Sequence, residues 1–335
     1  MKAVAYRRPL PIDDPQSLID LDLPEPEPRG RDLRVRVHAV SVNPVDTKLR
    51  RNSAPPPGQA RVLGWDAAGV VDAVGPEASL FKPGDRVMYA GDITRPGSNS
   101  ELHLVDERIV GRMPAALDFA EAAALPLTAI TAWELLFDRL GVDAQTEGTL
   151  LIVGAAGGVG SMLTQLARQL TRLTVVGTAS RPETTAWVHE LGAHRSLDHR
   201  QPLAEALRAA GLPAVTHVAS LTQTEQHFAQ LIEALAPQGR LALIDDPAQP
   251  LDARALKRKS LSLHWELMFT RSMFATPDMQ AQHDLLGRVA DLVDAGRLRS
   301  TLGEHFGQIN AADLRRAHAY IESGKARGKA VLAGF

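Results

Sequence analysis

LLIVGAAGGVGS, running from Leu150 to Ser161, is the stretch whose reading decides the fold. Four apolar residues, Leu150 to Val153, lead straight into Gly154, Gly157, Gly158 and Gly160, and a helical apolar pattern follows at Leu163, Leu166, Ala167 and Leu170. The pattern predicts a strand, a tight turn and a helix. Glycine suits such a turn because it tolerates backbone angles closed to other residues, and because a Cβ would hold the chain away from a pyrophosphate. The new helix offers the unpaired N–H groups of its first turn, Val159 included, and the positive end of its dipole to that anion. A dinucleotide is the natural ligand.

The spacing is Gly154-x-x-Gly157-x-x-Gly160, not G-x-G-x-x-G, and glycine-rich strand ends also occur in purely structural turns. Context strengthens the nucleotide reading: a second strand, Leu173 to Thr178, completes a strand–helix–strand unit of the expected length. Its tip bears on the choice of nucleotide. A carboxylate about twenty residues beyond the glycines would hold the ribose 2′-hydroxyl of NAD. Here the chain has Thr178, Ala179, Ser180 and Arg181 instead. Arg181 suits a 2′-phosphate and Ser180 can donate to it, so NADPH is expected over NADH. The same run also reads as a capping box from Ser180 to Glu183, which is compatible with that role.

At 335 residues the chain is long enough for two domains, each with its own core. The formal charge of −2 and a pI near 6.6 argue against nucleic acid as the main partner. No apolar run reaches transmembrane length and the start MKAVAYRRPL lacks a signal-peptide core, so a soluble, cytoplasmic protein is expected. The absence of cysteine excludes disulfides, thiol nucleophiles and thiolate metal sites.

Residues 1–122 read as a β-rich, turn-rich module with strands near Lys2 to Tyr6, Leu33 to Val42, Ala68 to Val74 and Arg86 to Tyr89. Helical and apolar strand patterns then alternate through residues 123–262, which predicts a doubly wound parallel sheet. Expected elements there include a helix from Glu225 to Ala236, stopped by Pro237 and Gly239, and strands Arg240 to Ile244 and Leu261 to Leu267. The tail, 263–335, is expected to return to the first module through strands at Thr301 to Phe306 and Lys329 to Ala333.

Several separated stretches then converge. SVNPVDTKLR at Ser41 to Arg50, GWDAAGVVDAVG at Gly64 to Gly75, FKPGDRV at Phe81 to Val87, AAALPLTAITAWELL at Ala122 to Leu136, the glycine loop and the closing GKARGKAVL resemble the medium-chain dehydrogenase/reductases. The likeness covers essentially the whole chain. It is strongest to the quinone oxidoreductase branch and, within it, to the zinc-type alcohol dehydrogenase-like proteins. It implies a GroES-like catalytic domain interrupted by a Rossmann NADP-binding domain, with the active site in the cleft between them, and a homodimer joined through the Rossmann domains.

The departures from the family pattern bear on the chemistry. Asn43 stands where zinc alcohol dehydrogenases carry a Cys ligand, Gly64-Trp65-Asp66 stands where they carry Gly-His-Glu, and the four-cysteine lobe is missing, so no metal is expected. Without a Lewis acid, alcohol oxidation loses several kcal/mol of transition-state stabilisation. Quinones and α,β-unsaturated carbonyls delocalise the charge that arrives with hydride, and they fit an NADPH-dependent reductase that needs only orientation, hydrogen-bond donors and a proton. The alternatives are an enoyl-thioester reductase, or a low-turnover NADPH-binding sensor or RNA-binding protein.

The resemblance also assigns residues. Asn43 would donate to a developing oxyanion beside the nicotinamide, or simply form an Asx turn before Pro44. Apart from the resemblance, Tyr89 at the end of its strand could donate to substrate oxygen or relay a proton, or merely pack. Trp65 would wall a flat quinone or fill a cavity. Thr128 matches a position at the nicotinamide end of the cofactor, His199 one beside the adenosine phosphate, and Lys329 one that reaches the pyrophosphate. His264, Trp265 and Phe269, beyond the basic run Lys257-Arg258-Lys259, would roof the substrate site or pack.

Overall fold

The computed structural model describes residues 1–212 and 215–335. The chain forms two compact units, one from Met1–Ile130 with Phe269–Phe335 and one from Thr131–Met268.

The second unit is built on six parallel strands in the order Arg195–Leu197, Thr174–Thr178, Thr149–Val153, Val215–Ser220, Leu235–Leu243, Ser262–Trp265. In chain order this is 3-2-1-4-5-6, the doubly wound Rossmann arrangement. Thr149–Val153 is buried along its whole length, as a central parallel strand covered on both faces must be. Leu151, Val153, Val176, Val218, Leu231 and Leu241 form the core beneath the helices. One element differs from expectation. The helix Thr224–Ala234 ends before Pro237, and the next strand already begins at Leu235. Its register shifts against Val215–Ser220, so Pro237 and Gly239 fall in an irregular stretch of strand, where the missing N–H of proline costs no ladder bond.

The first unit is organised by one long strand, Asp32–Val42, which pairs with Ala67–Val74, Leu102–Asp106 and Lys329–Ala333 within a seven-stranded sheet. Ile19–Asp22, Lys2–Tyr6 and Arg61–Val62 make a second, smaller sheet. Gly69 lets the first two strands approach closely, since a Cβ there would lie 2.2 Å from the Arg36 carbonyl oxygen. The helix Pro44–Asn52 escaped apolar periodicity because only Val45 and Leu49 in it are apolar aliphatics. Its start is nonetheless written locally, with Asn43 at the N-cap, proline in the first position and Asp46 in the first turn.

The units meet in sequence at 130/131 and 268/269, not at the expected 122/123 and 262/263. Residues 119–130 stay with the first unit because the Ser300 hydroxyl donates to Glu121 O at 2.7 Å, the Thr301 hydroxyl to Ala124 O at 3.0 Å, and Leu127 N–H to Asp66. Ser262–Trp265 stays with the second because it pairs with Leu235–Leu243. The stretch Phe119–Arg139 is long and apolar enough to cross a membrane by composition alone, but 78% of its apolar window is buried inside the protein, as in a core helix.

Candidate functional site

The second unit presents the glycine loop. Thr149–Val153 ends in Gly154, whose φ of 83° is left-handed, and Gly157 caps the helix Gly158–Leu170. Gly154 N–H donates to the Thr178 hydroxyl at 3.0 Å, which ties the loop to the tip of the neighbouring strand. A Cβ on Gly160 would lie 2.4 Å from Gly154 O, so the third glycine is what lets helix and strand meet. Gly157, Gly158 and Val159 remain partly exposed, leaving first-turn N–H groups facing outward. This cradle fits an anionic pyrophosphate on its own geometry.

At the strand tip the helix Pro182–Glu190 is capped one residue later than expected, at Arg181 and not at Ser180. Proline at the first helical position fixes the start, and the Thr184 hydroxyl donates to Arg181 O and accepts from Arg181 N–H. The Arg181 guanidinium lies 3.2 Å from the Glu183 carboxylate in a partly exposed pair, which is weak and screened. Ser180 O accepts from the Arg200 guanidinium at 3.1 Å, and Arg200 is in turn gripped by Asp198, whose carboxyl it holds down at about 2. His199 is half-buried, edge-on to His227.

The first unit holds a buried polar cluster at the end of its long strand. Register explains it: Ala330 lies opposite Val42 and Ala67 opposite Val40, so Lys329, Asn43 and Asp66 come together from three neighbouring strand ends. Lys329 Nζ donates to Asp66 Oδ2 at 2.9 Å, to Val42 O at 3.3 Å and to Asn43 Oδ1. The Asn43 amide nitrogen donates to Asp66 Oδ2 at 2.9 Å and to Trp65 O at 3.2 Å. Asp66 also accepts from the Ser41 hydroxyl at 3.1 Å and from Leu127 N–H at 2.7 Å. Asp46 accepts from Asn43 N–H at 2.7 Å and from Gly64 N–H at 3.0 Å. All of these residues are buried.

This geometry revises several expectations. The Asn43 amide is fully engaged inside the protein and leaves no N–H for a substrate oxyanion. The three protons of Lys329 are likewise taken, so in this arrangement its ammonium does not extend toward a pyrophosphate. Tyr89 is completely buried and its hydroxyl lies 3.1 Å from His103 Nδ1. His103 Nε2 faces the Pro96 carbonyl at 2.9 Å and must carry the ring proton, so Nδ1 accepts and Tyr89 donates. Burial raises the phenol well above its ordinary range and lowers the imidazole to about 4, so both rings are held neutral at pH 7. Trp65 is enclosed, its indole N–H on Asp92 O at 3.2 Å and its ring edge-on to Phe269, which favours the filled-cavity reading. Phe269 packs too. Thr128 turns its hydroxyl back to the carbonyl oxygen of Leu125, the residue just before its helix, at 3.0 Å. His264 is half-buried, while Trp265 on the outermost strand of the parallel sheet is 52% exposed.

Sequence reasoning missed one acidic cluster altogether. Glu134, in a π-helical turn, and Glu266, just past the strand Ser262–Trp265, are both buried and share a hydrogen bond, with Arg139 Nε on Glu266 at 2.7 Å. Burial and the facing Glu134 push Glu266 up to about 8, and burial pushes Asp46 up to about 7 against the pull of its N–H donors and Lys329. Both carboxyls are raised on folding, so the stability they contribute is complete below about pH 4 and is lost as pH rises through 7 to 8. Urea unfolding is expected to show stability falling by about 4 kcal/mol between pH 6 and 9. The Asp46→Asn/Glu266→Gln variant should flatten that fall, and an equally steep profile in the variant would refute the assignment.

A glycine-looped Rossmann unit joined in sequence to a mostly antiparallel GroES-like module is the architecture of a nicotinamide-dependent oxidoreductase. Residues 29–122 match the alcohol dehydrogenase GroES-like domain, and residues 191–332 match the zinc-binding dehydrogenase family. The chain is 37% identical over 339 residues to a zinc-type alcohol dehydrogenase-like protein of Staphylococcus aureus, covering 99% of each. Its fold superposes with a TM-score of 0.96 on a Rhizobium etli protein provisionally named a zinc-dependent alcohol dehydrogenase, at 58% identity over 100% of this chain and 98% of that one. A mycobacterial protein solved with NADPH superposes at 0.84 with 27% identity, covering 99% of both. The chain belongs to the medium-chain dehydrogenase/reductases, in the branch shared by the zinc-type alcohol dehydrogenase-like proteins and the quinone oxidoreductases.

The zinc in these relatives' names can be tested against the donors present. Asn43 Oδ1 holds an ammonium, the Asp66 carboxylate already accepts four donors, and the Trp65 indole nitrogen has no lone pair to give. Among the described residues no three His, Asp or Glu side chains converge as a metal site. The residues do not fit zinc.

Proposed function

We propose that this protein is a zinc-independent, NADPH-dependent reductase of quinones or α,β-unsaturated carbonyls. The observation that carries the reading is the Thr174–Thr178 tip: residues 178–181, where an NAD-binding chain would place its ribose-binding carboxylate, are Thr178, Ala179, Ser180 and Arg181. The weak Arg181–Glu183 pair would yield to a phosphate dianion, which accepts stronger charge-assisted bonds. The bound nicotinamide supplies hydride. Gly154, Gly157, Gly158, Val159 and Gly160 hold the pyrophosphate, while Ser180 and Arg181, with His199 nearby, hold the adenosine phosphate. With Asn43 and Tyr89 engaged inside the first unit, the proton comes from water. The relatives named for quinone reduction, and the one solved with NADPH, support this reading. Trp265 on the sheet's outer strand and Leu267 just past it, each 52% exposed, support a homodimer, which sedimentation velocity would check.

The test mixes protein and NADPH with a panel of naphthoquinones and simple enones and follows nicotinamide absorbance. No consumption with any acceptor would reject the reading. Arg181→Ala is expected to weaken NADPH binding at least tenfold while leaving NADH affinity unchanged, because one charge-assisted bond is worth about 1.5–3 kcal/mol. Equal loss for both nucleotides, by calorimetry, would remove Arg181 from the 2′-phosphate.

A further inference from the structure

The names of the relatives call for a cation, and the first unit already contains one. Lys329 is 2% exposed, a costly place for an ammonium unless every proton is matched. Here each has an acceptor: Asp66 Oδ2 at 2.9 Å, Val42 O at 3.3 Å and Asn43 Oδ1. On the other side of the pair, Asp66 completes its shell with Ser41, the Asn43 amide and the N–H of Leu127. That last bond sets a carboxylate at the amino end of the helix Pro126–Trp133, where the helix dipole favours it. Asn43, held between the two charges, is the cap of Pro44–Asn52.

We infer that the Lys329 ammonium is a permanent internal cation of this chain, occupying the donors a metal would need and acting as a positioning residue for Asn43, Asp66 and the two helix starts that hang from them. The inference rests on the zinc-independent reading above and extends it: the cation is covalently part of the closing strand, so these donors are satisfied before any metal is met. A zinc ion would have to displace a fully hydrogen-bonded ammonium and leave that buried charge unpaired.

The test compares wild type, Lys329→Ala, Asp66→Asn and Lys329→Ala/Asp66→Asn, all purified from zinc-supplemented cells, by elemental analysis and thermal unfolding. Wild type is expected to carry far less than one zinc per chain and to keep its Tm in chelator. Lys329→Ala should lower Tm by about 10 °C. Methylammonium, which can refill the vacated position and donate, should restore part of that loss, whereas tetramethylammonium, which has no N–H, should not. The double variant should lose less than the sum of the two singles, because it removes both buried charges together. Stoichiometric zinc whose removal lowers Tm in wild type would overturn the zinc-independent reading itself. A zinc-free wild type with an unchanged Tm in Lys329→Ala, or with no preference for methylammonium, would overturn this inference alone. If Lys329→Ala does not fold, the double variant decides: folding supports the charge pair, and equal failure counts against it.

Discussion

Gly160→Val is expected to raise the Kd for NADPH at least a hundredfold and to lower Tm by several degrees. A Cβ at position 160 would lie 2.4 Å from Gly154 O, 2.6 Å from Ala155 Cα and 2.7 Å from the Ala155 carbonyl carbon. All three are backbone atoms of the cradle itself, so relief requires the loop or the helix to move, at a typical overpacking cost of 1–3 kcal/mol. Gly154 would lose its placement against the Thr178 hydroxyl, and the helix N–H groups would no longer converge on one anion. Gly287→Ala is the control. That glycine sits inside the helix Ala281–Asp294, and a Cβ there meets nothing within 4 Å. Its Tm should stay level or rise, since alanine is the better helix former by about 1 kcal/mol. Calorimetric titration and thermal unfolding check both, and unimpaired NADPH binding by Gly160→Val would show that the nucleotide does not use this loop.

Asp66→Ala is expected to be the most destabilising single change in the first unit, by about 3–5 kcal/mol, or about 10 °C in Tm. The substitution strands the Lys329 ammonium in the protein interior and takes the acceptor from Asn43 Nδ2, the Ser41 hydroxyl and Leu127 N–H together. A neighbouring acidic change offers contrast. Asp32 pairs with Arg95 at 2.8 Å through a guanidinium that is 32% exposed, so Asp32→Ala should cost much less. Equilibrium denaturation of the two variants would settle the ranking, and similar losses would mean that the buried charge pair is not the first unit's main polar tie.

The parts of the fold that were legible in sequence are those whose signal is local. The strands Lys2–Tyr6, Arg86–Tyr89 and Lys329–Ala333 could be bounded to the residue from alternation and flanking turn residues. Local cues also mislead. Pro237 and Gly239 look like a helix stop, yet they sit within a strand because a bulge absorbs them. Ser180 looks like the cap because serine and Glu183 are correctly spaced, yet Pro182 in the first helical position moved the cap to Arg181. Asn43 and Trp65 stood at family positions, and Tyr89 carried a hydroxyl at a strand end. None of the three could be known to be buried and engaged until the strands around it were paired.

The glycine cradle was written in the sequence, since strand, turn and helix interact over about a dozen consecutive residues and need no distant partner. Lys329 and Asp66 are a different case. They are separated by 263 positions and meet only because two strands pair with opposite edges of Asp32–Val42 in a fixed register. A one-residue slip in either pairing would turn the side chains to the other face and dissolve the cluster. Tertiary structure alone decided that a lysine near the end of the chain became the cation of its interior. Chain order places no constraint on which side chains a sheet brings side by side; the hydrogen-bond register does.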